Sequence, residues 1–127
     1  MATRDEITAV CDRYIACVAA GDVDGVMALY GDDPRVEDPV GSEPHQGRAA
    51  VRAFYEGTTG VKLTTSRIGP VTVAANSAAF QFRIDVDLDG STITLVSTDV
   101  MTFDDAGKIA SMIALPDGEA DPGDKGA

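Results

Sequence analysis

Three segments of helical periodicity in the first half of the chain, followed by four or five alternating β-rich segments, predict an α+β fold. In it the three N-terminal helices pack on one face of a curved, mostly antiparallel sheet. Length agrees: 127 residues, 44% hydrophobic and 24% charged, suffice for one domain around a single core. That domain is expected over residues 1–115, with 116–127 as an acidic tail that has little to bury.

Thr3 and Glu6 form a T-x-x-E capping box. Ile7, Val10, Cys11, Tyr14 and Val18 follow at helical spacing until Gly21 stops the run. At about 100° per residue these side chains make a stripe roughly 100° wide with Tyr14 near its middle, so the phenol is aimed inward. Asp22 caps a short second helix expected to run through Met27 and Tyr30, closed by Gly31 and an Asp-Asp-Pro turn. Next comes RVEDPVGSEPHQG, whose VEDPV core reads as extended. Strand alternation puts Asp38 on the face of Val36 and Val40 and turns Glu37 the other way, while Pro39 keeps Asp38 out of the helical region. GRAAVRAFYEG reads as the third helix, with Val51, Phe54 and Tyr55 on its inner side.

From Val61 onward β-branched and aromatic residues dominate, with turn signals at Gly69-Pro70, Asn76-Ser77, Asp89-Gly90 and Asp104 to Gly107. Phe80, Phe82, Ile84, Val86 and Leu88 alternate with Gln81, Arg83, Asp85 and Asp87, the signature of a strand with one buried and one wet face. Beyond the Asp89-Gly90 hairpin, Ile93, Leu95, Ser97, Asp99, Met101 and Phe103 share the more apolar face. The last strand, KIASMIAL, is expected to end at Pro116.

Composition narrows the chemistry. A net charge of -11 repels phosphate backbones and anionic surfaces, so neither nucleic acid nor membrane is an expected partner. No signal-like or membrane-spanning apolar run is present, and a cytoplasmic protein is expected. Cys11 and Cys17, about 9 Å apart along one helix, are too far apart to bridge. One histidine, His45, in a loop where it is expected to be solvated, and two same-helix cysteines argue against a zinc site; no metal is expected. There is no phosphate-binding glycine loop and no nucleophile elbow. What remains are inward oxygen acids: Tyr14, Tyr30, Tyr55, Asp38 and Asp99. Asp99 stands out because a buried, unpaired carboxylate costs several kcal/mol and no basic residue lies near it on its strand face. It must find a cation elsewhere, sit at a wet rim, or stay protonated and become a hydrogen-bond donor. Phe54, Phe82, Ile84, Val86, Met101 and Met112 are the candidates for an apolar pocket wall.

The segment VEDPVGSEP, the Tyr14 helix, FYEG and the isolated Asp99 strand closely resemble the bacterial ketosteroid isomerases, or steroid Δ-isomerases, over about residues 7 to 115. The resemblance implies the cone-shaped, NTF2-like (cystatin-like) α+β roll, a homodimer, and cofactor-independent isomerisation of 3-oxo-Δ5-steroids to conjugated 3-oxo-Δ4-steroids. It also implies roles: Asp38 as the base that moves the proton, Tyr14 and a neutral Asp99 as donors to the dienolate oxygen, and Tyr55 and Tyr30 supporting Tyr14 through phenol hydrogen bonds. A carboxylic acid kept neutral by its apolar site is a known property of that family. The competing readings are another lyase or isomerase on the same scaffold, such as a polyketide cyclase, and a non-catalytic dimer that binds a hydrophobic ligand.

Overall fold

Thr3 opens α1 (Arg4–Ala20) in the structure, a computed structural model that describes residues 2–120. Its hydroxyl accepts the Glu6 N–H at 3.1 Å and the Glu6 carboxylate accepts the Thr3 N–H at 2.8 Å, so two of the unpaired helix-start donors are satisfied reciprocally. Gly21 ends the helix in the left-handed region at φ 67°. The stripe expected from sequence buries Ile7, Cys11 and Tyr14, with Val10 and Val18 at its half-buried margins. Both cysteines are free and buried.

α2 is a single turn, Val23–Met27, capped by Asp22, and it packs on α1 and α3. The expected continuation of this helix to Tyr30 does not occur. The chain is captured by the far end of the protein instead: Leu29 C=O accepts the Ile109 N–H at 2.8 Å, and Tyr30 opens β1 (Tyr30–Glu37) paired with Ile109. The Arg48 guanidinium fixes this corner by donating to the carbonyls of Met27, Tyr30 and Gly31 at 2.9 to 3.1 Å. A two-residue β2, His45–Gln46, lies antiparallel on β1 and leads into α3, Arg48–Glu56.

The second half is a meander of β3 (Lys62–Ala74), β4 (Ser77–Leu88), β5 (Ser91–Phe103) and β6 (Ile109–Asp117). With β1 and β2 it forms one sheet in the order β2-β1-β6-β5-β4-β3, antiparallel except where β1 runs parallel to β6. Gly69-Pro70 is not a turn between strands. β3 runs through it with a register shift between Ile68 and Thr72, and Gly69 takes φ 70°, so the same local chemistry makes a bulge. β6 also passes the expected stop: Pro116 pairs with Ser97 and Asp117 with Val96, so the boundary drawn at residue 115 falls inside a strand. The remainder of the acidic tail, 121–127, lies outside the described residues.

The core fills the space between the helices and the inner face of the sheet, with Ile7, Tyr14, Val36, Val51, Phe80, Met101, Ile109 and Met112 all buried. Along β4, burial fades from Phe80 and Phe82 through half-buried Ile84 and Val86 to exposed Leu88. The space above Phe82 and Ile84 is where a cavity opens.

Candidate active site

Five expected oxygen acids converge on the inside of this fold from different elements: Tyr14 from α1, Tyr30 from the start of β1, Asp38 just past its end, Tyr55 from α3 and Asp99 from β5. The Tyr55 hydroxyl lies 2.9 Å from that of Tyr14 and 2.7 Å from that of Tyr30, so the three phenols form one buried chain. Their rings stack edge-on or tilted, with centroids 6.2 Å (Tyr14 to Tyr55) and 5.9 Å (Tyr30 to Tyr55) apart. Burial above all, and the surrounding acids with it, pushes all three phenols well above their ordinary range, so they are neutral hydrogen-bond groups throughout the working pH range.

Asp99 is 1% exposed, and no cation faces it among the described residues. Its flanking partners across the sheet are Phe80 on β4 and Ala114 on β6. Its one side-chain hydrogen bond among the described residues comes from Ser97, whose Oγ is 2.7 Å from Oδ1. Burial pushes the carboxyl up to about 7; the Ser97 hydroxyl pulls the other way, and the charge of Asp38 adds to the rise.

Asp38 has a different setting. The strand stops at Glu37, so the alternation expected for Asp38 fails: Val36 is fully buried but Val40 is 51% exposed. Asp38 stands half-buried in a bend, joined to Pro39 by a cis peptide. That bend is tied down on its far side, where Val40 N–H donates to Ala114 C=O at 2.8 Å and the Ser42 hydroxyl donates to Pro39 C=O at 2.6 Å. Burial raises the Asp38 carboxyl, and a positive charge on His45 opposes that rise. Glu37 has surface duties, accepting the Gly41 N–H at 2.8 Å and pairing with Arg35 at 3.6 Å.

Tyr14, Asp38, Tyr55 and Asp99 line a single open cavity of about 610 Å³ including its mouth, with Phe54, Phe82, Ile84, Val18, Leu63, Ser97 and Pro116 around them. A mostly apolar lining with a few convergent polar groups is the character expected of a small-molecule site. A depression of about 700 Å³ over the β3 bulge is lined by no titratable side chain and offers no comparable chemistry.

The SnoaL-like domain family matches residues 11–112. The chain belongs to the SnoaL-like domain family. A protein named steroid Delta-isomerase from Nocardioides simplex is 40% identical over 110 residues, spanning 87% of this chain and 89% of that protein, so the kinship read from VEDPVGSEP and its companions holds. Among solved structures, an epoxide hydrolase/cyclase-like enzyme, SalBIII, from a study of pyran ring formation in polyether salinomycin, superposes with a TM-score of 0.81. It is 24% identical and the match covers 91% of this chain and 94% of that one, which supports the NTF2-like fold.

Within this SnoaL-like chain the expected wall divides in two. Phe54, Phe82 and Ile84 line the cavity. Met101 and Met112 face each other across β5 and β6, fully buried, and lie beneath the cavity as core; Val86 lies farther along β4 toward the hairpin, outside the lining. Two residues near the acids were missed. His45, expected to be solvated, is half-buried in β2 with its ring 4.8 Å from that of Phe54. Its position opposite Val36 depends on a two-residue strand that leaves no periodic signal. Ser97 did carry a signal, since it sits two residues before Asp99 on the same strand face.

Proposed function

We propose that this protein isomerises 3-oxo-Δ5-steroids to the conjugated 3-oxo-Δ4-steroids by moving one proton within the substrate. The observation that carries the reading is the contrast between two carboxyls in one apolar cavity, a buried Asp99 beside the Tyr14 phenol and a half-buried Asp38 at the mouth. The relative named steroid Delta-isomerase supports it.

In this mechanism Asp38, as carboxylate, takes a proton from the carbon between the carbonyl and the double bond. The electron pair delocalises into a dienolate, and the resulting Asp38 acid returns the proton two carbons further along, so no atom is gained or lost. The dienolate oxygen carries the developing charge and accepts hydrogen bonds from the Tyr14 phenol and the neutral Asp99 acid. Each phenol has one proton to give. If Tyr30 donates to Tyr55 and Tyr55 to Tyr14, the Tyr14 proton is left for the substrate; the two short contacts support such a relay. The apolar side chains of Phe54, Phe82 and Ile84 exclude water, which strengthens both donors.

The reading includes a homodimer. Val100, Thr98, Ile113 and Leu115 share the outer face of the sheet through the pairs Val100 with Ile113 and Thr98 with Leu115, and Val100 and Leu115 are exposed. A second copy would cover that apolar strip. Sedimentation at micromolar concentration is expected to give a dimer, and an active monomer there would remove this part of the proposal.

The deciding experiment for the activity adds a 3-oxo-Δ5-steroid to the purified protein and follows the ultraviolet absorption of the conjugated enone. Catalytic growth of that band is expected. Tight binding of the steroid with no growth would assign the cavity to ligand binding alone.

A further inference from the structure

Ser97 and Asp99 are i and i+2 on β5, and both side chains reach the same cavity. Ser97 is 3% exposed, and among the described residues its hydroxyl has Asp99 Oδ1 as its only side-chain partner, at 2.7 Å. That length is typical of a strong O–H···O bond. Asp99 Oδ2 has no hydrogen-bond partner among the described residues. A buried hydroxyl next to a carboxyl that must give its proton to something else has two possible effects. As donor to Oδ1, it marks that oxygen as the carbonyl side of the acid and leaves the acid proton on Oδ2. As acceptor from Oδ1, it would draw the proton away from the substrate.

We propose that Ser97 is a positioning residue for the oxyanion site: by donating to Asp99 Oδ1 it holds the acid proton on Oδ2, free for the substrate oxygen, and sets the pH at which that proton is lost. This rests on the reading of Asp99 as a neutral donor. The donated bond is stronger to the carboxylate than to the acid, so Ser97 lowers the midpoint that burial has raised. The other groups facing Asp99 cannot take over this role. From α1 come Cys11, whose thiol burial pushes up to about 12, and Tyr14; from α3 comes Tyr55, from β1 Tyr30, and from the bend after it Asp38. Of those groups Asp38 raises the Asp99 carboxyl by its charge, and none of them hydrogen-bonds Asp99 among the described residues. Phe80 on β4 and Ala114 on β6 have no polar side-chain atom. Ser97 is thus the side chain beside Asp99 that favours its charged form.

The test reads the protonation of Asp99 directly, by carbon-13 NMR titration of carboxyl-labelled protein, in the wild type and in Ser97→Ala, Ser97→Thr and Ser97→Cys. Ser97→Ala is expected to raise the proton affinity of Asp99 about tenfold, the scale of one hydrogen bond to a charged group, and Ser97→Thr to restore the wild-type midpoint. Ser97→Cys, nearly isosteric with a weak donor, is expected to fall between them. Below the midpoint, where Asp99 is protonated in every variant, isomerisation by Ser97→Ala should be slower than by Ser97→Thr because the acid proton is no longer held on Oδ2. An unchanged or lowered midpoint in Ser97→Ala overturns the proposal, the latter by making Ser97 an acceptor. The titration is independent of turnover: if the midpoints move as expected in a protein that binds steroid without converting it, the proposal stands and the isomerase reading falls.

Discussion

The mouth and the floor of the cavity each hold one aspartate, and the chain treats the two differently. At the mouth, Asp38 stands in a bend, half-buried, with His45 and Phe54 beside it and burial raising its carboxyl. On the floor, Asp99 sits in the middle of a paired strand, 1% exposed, pushed up to about 7 and hydrogen-bonded to Ser97. In the proposed mechanism the same side chain serves as a mobile base where the backbone is irregular and solvent is near, and as a neutral donor where strands on both sides bury it. The difference is one of placement, since the chemistry of the residue is unchanged.

The mouth should show the largest effect. Asp38→Asn keeps the shape but removes the proton acceptor, so turnover is expected to fall by at least about 10² to 10⁴ while steroid binding survives, as read by enone absorption and equilibrium titration. Near wild-type turnover would move the base elsewhere and leave Asp38 without a catalytic part.

On the floor, Tyr14→Phe and Asp99→Leu each remove one donor and are expected to cost about 10² to 10³ in kcat. Asp99→Asn retains a donor and should keep most of the rate. The double variant Tyr14→Phe/Asp99→Leu should lose less than the product of the two, because both address one developing charge. Full activity in Asp99→Glu, with Asp99→Asn as damaged as Asp99→Leu, would mean that an ionised carboxylate is required there.

The floor aspartate also has a cost in stability. Its folded midpoint, about 7, lies above the ordinary 3.8, so the native state holds a proton that the unfolded chain releases. Stability from this group is therefore intact below about pH 4 and is lost as pH rises through about 7, by about 4 kcal/mol in all. Asp99→Asn should abolish that decline, and urea unfolding of the two proteins at pH 5 and pH 8 measures it.

The smallest effect is expected at His45. Its positive charge lowers the Asp38 midpoint, so His45→Ala should move the acid limb of kcat/KM to higher pH and His45→Lys should move it back, with little change in the plateau. No movement would leave the mouth acid governed by burial alone.

What could be read from sequence follows the range of the interactions involved. α1 was legible because a capping box, an apolar stripe and a terminal glycine are all local, and β4 and β5 because their two-residue alternation persists. That legibility put Tyr14 and Asp99 on the correct inner faces. Tyr30 was misread as helical because its conformation is decided by pairing with Ile109, far away in sequence. The bulge at Gly69-Pro70 uses the same residues as a turn, and nothing local separates them. Parity placed Met101 and Met112 on the inner face but could not give depth, which depends on where the helices stop covering the sheet. Asp38 was singled out through an alternation that the bend breaks, yet it still reaches the cavity. His45 escaped because its placement beside Asp38 depends on the pairing of β2 with β1, whereas Ser97, two residues before Asp99 on the same strand face, could have been found from strand parity.

The opposite protonation of the two aspartates is tested most directly by kcat/KM for steroid isomerisation from pH 3 to pH 9 in the wild type and in Asp99→Asn. A bell is expected for the wild type, rising as Asp38 ionises above its ordinary range and falling as Asp99 loses its proton near 7, and in Asp99→Asn the same acid rise with no alkaline fall. A wild-type rate that climbs through pH 7, or an alkaline fall that persists unchanged in Asp99→Asn, would contradict it.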